Sequence, residues 1–75
     1  MYDWNDLRYF LELSRQGKLV KAALRLQVDH TTVSRRIASL EKQLQARLFD
    51  KSPTGYQLTD ACMRLLPMAE KIESQ

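Results

Sequence analysis

Residues 21–48 read KAALRLQVDHTTVSRRIASLEKQLQARL, two apolar patterns of helical period separated by three residues. Leu19 lies just upstream, and with Ala22, Ala23 and Leu26 it forms an i, i+3, i+4, i+7 set that predicts a helix over 19–26. The two alanines allow another helix to approach closely. Gln27-Val28-Asp29 is the turn: Val28 plugs inward, and Asp29 is expected to cap the next helix by accepting from backbone N–H groups near Thr32. That helix is predicted over 30–46, because Val33, Ile37, Leu40 and Leu44 fall within about 60° of one another at 100° per residue. A short helix, a tight turn and a longer helix form the arrangement that lays the second helix in a DNA major groove.

The face opposite that buried stripe carries Thr31, Arg35, Ala38 and Lys42, flanked by Thr32, Ser34 and Ser39. Small and hydroxyl-bearing residues beside arginines let a helix come close to base edges. An ordinary solvated face favours Glu and Lys, yet the first acid of this helix is Glu41, three turns in. Charge follows the same division. From Arg15 to Lys51 there are nine basic and three acidic residues, a balance of +6, whereas the whole chain carries only +3. The middle of the chain is thus the part suited to a polyanion, although a solvated surface gives the same count. Lys18, before the 19–26 helix, has no side-chain acceptor to cap it. Its charge also opposes the helix dipole unless a phosphate lies nearby.

The flanking segments complete the architecture. Asp3 suits the N-cap of a first helix, with Asp6 at N3 and Tyr2 and Leu7 at hydrophobic-staple positions. Trp4, Leu7, Phe10, Leu11 and Ser14 make one inward stripe, and Gly17 supplies the stop. At this spacing Trp4, Tyr9 and Phe10 read as core rather than as base-stacking aromatics. Residues 48–51 and 55–58 flank the turn-like Ser52-Pro53-Thr54, predicting a two-stranded wing whose Lys51 and Thr54 touch DNA backbone or minor groove. Thr59 caps a last helix towards Gln75, with Asp60 at its first position and Pro67 expected to bend it.

That helix has two apolar rows: Ala61, Leu65, Met68 and Ile72, and Cys62, Leu66 and Ala69. One row covers the domain's own core; the second calls for a partner, most simply the same helix of another subunit. These seven residues are the expected dimer interface. The pattern is unfinished at the last residue, so a fragment of a longer chain is expected. The fold class is therefore mainly α: a winged helix-turn-helix with a three-helix core and a two-stranded β wing over 1–58, followed by a long linker and dimerisation helix over 59–75.

Other classes find little support. Seventy-five residues suit one domain, and 44% hydrophobic residues argue against disorder. No apolar run approaches the roughly 18 residues of a membrane span, and Asp3, Asp6 and Arg8 interrupt any signal-peptide core. A cytoplasmic, nucleoid-associated location is expected. Cys62 is a lone cysteine, so neither an internal disulfide nor a cysteine-rich metal site is expected. His30, the sole histidine, lacks a catalytic partner, and there is no phosphate-binding loop or nucleophile elbow. No enzymatic activity, cofactor or metal is expected. His30 keeps two readings open: a hydrogen bond at a groove edge, or packing and capping at the helix start.

Taken together, Leu7-Arg8-Tyr9-Phe10, Gly17, Ala22-Ala23-x-x-Leu26, Val28, Ser34-Arg35-x-Ile37, Leu40-Glu41, Leu44, Arg47-Leu48-Phe49, Leu58-Thr59 and Ala61 resemble the N-terminal DNA-binding domain of LysR-type transcriptional regulators. The resemblance is collinear over nearly the whole chain. It implies sequence-specific binding of double-stranded DNA at an interrupted inverted repeat. It also implies a linker helix pairing antiparallel with its partner, a homodimer or tetramer, and a C-terminal effector domain absent here. Carried over by position, base reading falls on His30, Thr31, Ser34 and Arg35. Phosphate contact falls on Thr32, Arg36 and Lys51, with Lys18 and Lys21 at the helix end that meets the backbone. This chain departs from the family at Lys18, His30, Thr31, Thr32, Gln45, Thr54 and Cys62. The rival reading is a winged-helix module that turns its basic face to an acidic protein.

Overall fold

Helix-turn-helix geometry is closed by Gln27, whose left-handed backbone (φ 60°, ψ 43°) reverses the chain after α2, Leu19–Leu26. The Gln27 N–H donates to the Leu24 carbonyl at 3.2 Å and the Val28 N–H to that of Ala23 at 3.0 Å, which satisfies carbonyls the helix end would leave open. The structure, a computed structural model, describes residues 4–74. Its elements are α1 (Trp4–Gln16), α2, α3 (His30–Leu44), β1 (Phe49–Ser52), β2 (Gly55–Leu58) and α4 (Asp60–Glu73). The expected cap at Asp3 and staple at Tyr2 lie outside the described residues.

One core joins these elements. Phe10, Leu11, Leu13, Ala22, Val33, Leu40, Leu48 and Cys62 are almost wholly excluded from solvent. The Phe10 and Phe49 rings stand 5.8 Å apart, and Phe49 meets Tyr56 edge-on at 6.2 Å, so the aromatic row fastens the wing to α1. Trp4 departs from the expected inward stripe, being 41% exposed. At the first position of α1 it lies beyond the end of the core.

The recognition helix is shorter than its periodicity suggested. Gln45 takes the left-handed conformation (φ 54°), so α3 ends at Leu44 rather than 46. The chain then enters a wing whose first strand sits one residue later than expected. β1 and β2 pair antiparallel from Phe49 opposite Leu58 to Ser52 opposite Gly55. Two side chains fix this entry. Glu41 Oε2 accepts from the backbone N–H of Leu48 at 2.7 Å and of Phe49 at 3.3 Å. Thr59 Oγ1 donates to the Arg47 carbonyl at 2.5 Å and accepts from Cys62 N–H at 3.2 Å, the expected cap of α4.

The wing also docks on the start of α2. Tyr56 N–H donates to the Gly17 carbonyl at 2.8 Å, and this close approach leaves no room for a side chain at Gly55. The winged helix-turn-helix is thus as the sequence indicates. The expected long linker helix is not present among the described residues: α4 has 14 residues and packs back against α1. Cys62 and Ala69, assigned from sequence to a dimer interface, are fully buried in the chain's own core. Their small side chains let α4 lie close to α1, which is why that row turned inward.

Candidate nucleic-acid interface

The outer face of α3 is set by the inward anchoring of Val33, Ile37 and Leu40. With those three buried, His30, Thr31, Ser34, Arg35, Ala38, Ser39 and Lys42 are all exposed. Arg35 makes no ion pair among the described residues, so its guanidinium fork remains available to an acceptor. Lys18 and Lys21 are exposed at the start of α2, and Lys51 and Thr54 on the wing. Lys18 caps α2 with no side-chain hydrogen bond, as expected. At the wing tip, Ser52 Oγ donates to the Gly55 carbonyl at 2.8 Å and lies 3.4 Å from Thr54 Oγ1, which shapes the turn.

Two sequence assignments change character in three dimensions. Arg36 is half-buried; its Nη1 lies 3.3 Å from Asp6 Oδ1, and its guanidinium stands 5.7 Å from the centre of the Tyr9 ring. Asp6 is buried in the first turn of α1. Arg36 therefore ties α3 to α1. Thr32 is likewise half-buried.

Asp29 makes no side-chain cap to α3. Its Oδ2 instead accepts from Thr31 Oγ1 at 2.7 Å, while Oδ1 lies 3.4 Å from His30 Nδ1. The Thr31 hydroxyl holds the Asp29 carboxyl below its ordinary range, with the nearby histidine adding in the same direction. Sequence reasoning missed the role of Asp29 towards Thr31, although an acid two residues before a threonine at a helix start is a local signal for it. It also missed Asp6 as the partner of Arg36, for which thirty residues of separation leave no signal. Arg47, exposed and paired with Asp50 at 2.7 Å, is a further base-of-wing cation.

On α4, Ala61, Leu65 and Leu66 are half-buried and pack against the core, while Met68 and Ile72 are exposed. Ala61, Leu65 and Met68 line, with Leu44, Ala46, Leu48 and Arg64, a mainly apolar groove of about 240 Å³. Among the described residues no cluster of His, Cys, Asp and Glu could hold a metal ion. No helix there is long and apolar enough to cross a membrane.

Comparison with known proteins agrees with this geometry. The chain is 42% identical over 72 residues to an uncharacterised HTH-type transcriptional regulator of Azotobacter vinelandii, covering 96% of this chain and 50% of that protein. It is 44% identical to the HTH-type transcriptional regulator HdfR of Yersinia enterocolitica, over 96% of this chain and 25% of HdfR. The chain thus spans half or less of the length of these relatives. Among solved structures, the CbnR DNA-binding domain in complex with DNA superposes with a TM-score of 0.93 at 30% identity, over 97% of this chain and 84% of that one. A structure of CbnR, a LysR family transcriptional regulator, gives the same TM-score and identity with 25% of its chain covered. Residues 4–63 match the family described as "Bacterial regulatory helix-turn-helix protein, lysR family". That match spans most of the chain, and this chain belongs to that family.

Proposed function

We propose that this chain is the operator-binding domain of a bacterial transcription regulator, reading double-stranded DNA with α3 in the major groove and the wing on backbone or minor groove. The carrying observation is the exposed face of His30, Thr31, Ser34 and Arg35, with Arg35 unpaired among the described residues while Arg36 beside it is drawn to Asp6. The structure of the CbnR domain on DNA supports the same mode of docking. Arg35 offers a bidentate fork to guanine O6 and N7; Ser34 and Thr31 reach neighbouring edges. Lys18, Lys21 and Lys51 supply charge to phosphates, with Thr54 at the wing tip. Arg36 and Thr32 act mainly by holding α3. A cytoplasmic, nucleoid-associated location follows from duplex binding.

Dimerisation goes with this reading. The outward row Ala61, Leu65, Met68 and Ile72, with Leu66 at its edge, is the surface for a second copy, and Cys62 and Ala69 support it from beneath. Functionally, 1–58 reads DNA and 59–75 serves dimerisation rather than acting as a long linker. A symmetric dimer requires an interrupted inverted repeat with half-sites about one helical turn, or a multiple, apart. In a competition assay between selected and random duplex, Arg35→Ala should cost about 1–3 kcal/mol on the selected site and flatten the preference. Unchanged discrimination would refute the assignment. A winged-helix module for an acidic protein instead predicts no base preference at any salt concentration.

A further inference from the structure

The start of α3 carries a hydrogen bond that sets what one residue can say to a base. A threonine hydroxyl has one proton to donate and two lone pairs with which to accept. Thr31 Oγ1 donates its proton to Asp29 Oδ2 at 2.7 Å. Both residues are exposed at the start of α3, and at 100° per residue Thr31 lies about 160° from buried Val33. The Asp29 carboxyl sits below its ordinary range, chiefly through this bond. At neutral pH it is therefore ionised and only accepts. With its single proton engaged, Thr31 presents lone pairs alone to whatever faces α3.

In the major groove, adenine N6 and cytosine N4 carry the donor hydrogens, whereas guanine O6 and N7 and thymine O4 only accept. We propose that Asp29 fixes the hydrogen-bonding sense of Thr31, making the pair a specificity determinant for an exocyclic amino group, that of adenine or cytosine, at one position of each half-site. This rests on the DNA-binding reading above. It gives Asp29, an acid at the tip of a helix meant for a polyanion, a positive role: the carboxylate repels phosphate on every sequence, and in exchange it polarises its neighbour. Asp29 is a positioning residue acting through Thr31, and it differs from Arg35, whose five donors select acceptors. One half-site is then read in both senses by two side chains a turn apart.

Selections from random duplexes with the wild-type chain, Thr31→Val, Thr31→Ser, Asp29→Asn and Arg35→Ala would test this. Wild type should prefer adenine or cytosine at one position by about 2- to 10-fold over guanine or thymine, the range of a single hydrogen bond. Thr31→Val should lose that preference alone, and Thr31→Ser should keep it. Asp29→Asn should tighten binding to all sequences by removing a repelling charge. At that one position it should also admit guanine and thymine, because an amide can donate to Thr31 and release its proton. Replacing the preferred adenine by purine, or the preferred cytosine by 2-pyrimidinone, removes the amino group and identifies which base is read. The replacement should weaken wild type and leave Thr31→Val unaffected.

If Arg35→Ala flattens selection while Thr31→Val leaves every base preference intact, DNA recognition stands and this inference falls. It falls equally if Asp29→Asn raises affinity uniformly with no change of preference. If wild type selects no sequence at all, the failure lies with the DNA-binding reading itself.

Discussion

Gly55→Ala is the substitution whose effect the structure fixes most tightly. Gly55 has φ +141°, and a Cβ built there lies 2.4 Å from the Gly17 carbonyl oxygen, a backbone atom that cannot swing aside. Backbone held in such a region costs about 1–3 kcal/mol for a residue other than glycine. To regain ordinary contact the wing must also retreat by roughly an ångström, a typical van der Waals separation being about 3.5 Å. That breaks the 2.8 Å bond from Tyr56 N–H to the same carbonyl, worth about 1 kcal/mol. The expected loss is about 2–4 kcal/mol, a large share of the roughly 4–11 kcal/mol available to a domain this size. Gly17→Ala is the control: φ is +73° and nothing lies within 4 Å of the added carbon, so only the left-handed penalty of about 1 kcal/mol applies. Urea unfolding followed by far-UV circular dichroism measures both. Equal losses in the two variants would show that the wing does not depend on this contact.

Three further outcomes follow from particular side chains. Gln45→Gly should stabilise by about 0.5–1 kcal/mol, since Gln45 holds a left-handed conformation that glycine adopts freely; a thermal midpoint rising by a few degrees would show it. Arg36→Met should destabilise by about 1–3 kcal/mol by stranding the buried Asp6 carboxylate, and the double variant Asp6→Leu/Arg36→Met should lose less than Arg36→Met alone; additive losses in the cycle would contradict the pairing. Burial, with the Glu41 carboxylate contributing, pushes the Cys62 thiol from 9.0 up to about 11. The folded state thus favours the protonated form: its stability is intact below pH 9 and falls as pH rises from 9 towards 11, by about 2–3 kcal/mol. Cys62→Ala should remove that part of the alkaline slope, and parallel slopes for the two chains would exclude it.

Much of the fold is written in local periodicity. The buried stripe of α3 and the cap at Thr59 are patterns within a few residues, and a single segment reveals them. The end of α3 is different: Gln45 terminates the helix without glycine, so nothing in composition marks the stop. Arg35 and Arg36 show the limit most clearly. They are adjacent and chemically identical, yet at 100° per residue Arg36 lies only about 60° from Val33 and Arg35 about 160°. Phase separates the cation that can leave the protein from the one that cannot, but the identity of the acid holding Arg36 depends on how α1 packs. The two rows of α4 were likewise visible, whereas the choice of row to bury depended on which side chains were small enough for α1 to approach.

The parts proposed to meet DNA are joined to one another by contacts that no DNA molecule needs to form. Tyr56 N–H on Gly17 links the wing to the start of α2 and so to Lys18 and Lys21. Glu41 links α3 to β1, and Asp6 through Arg36 links α3 to α1. The surface is therefore ordered before binding, and the entropy lost on association falls mainly on exposed side chains, at about 0.5–1.5 kcal/mol for each that is immobilised. Arg35, with no ion pair among the described residues, bears such a loss wherever it engages an acceptor, base edge or phosphate. Thr31, already held by Asp29, bears little. Of the two, the threonine is the stiffer reader, and the arginine is the one able to fall back on phosphate when the sequence is wrong.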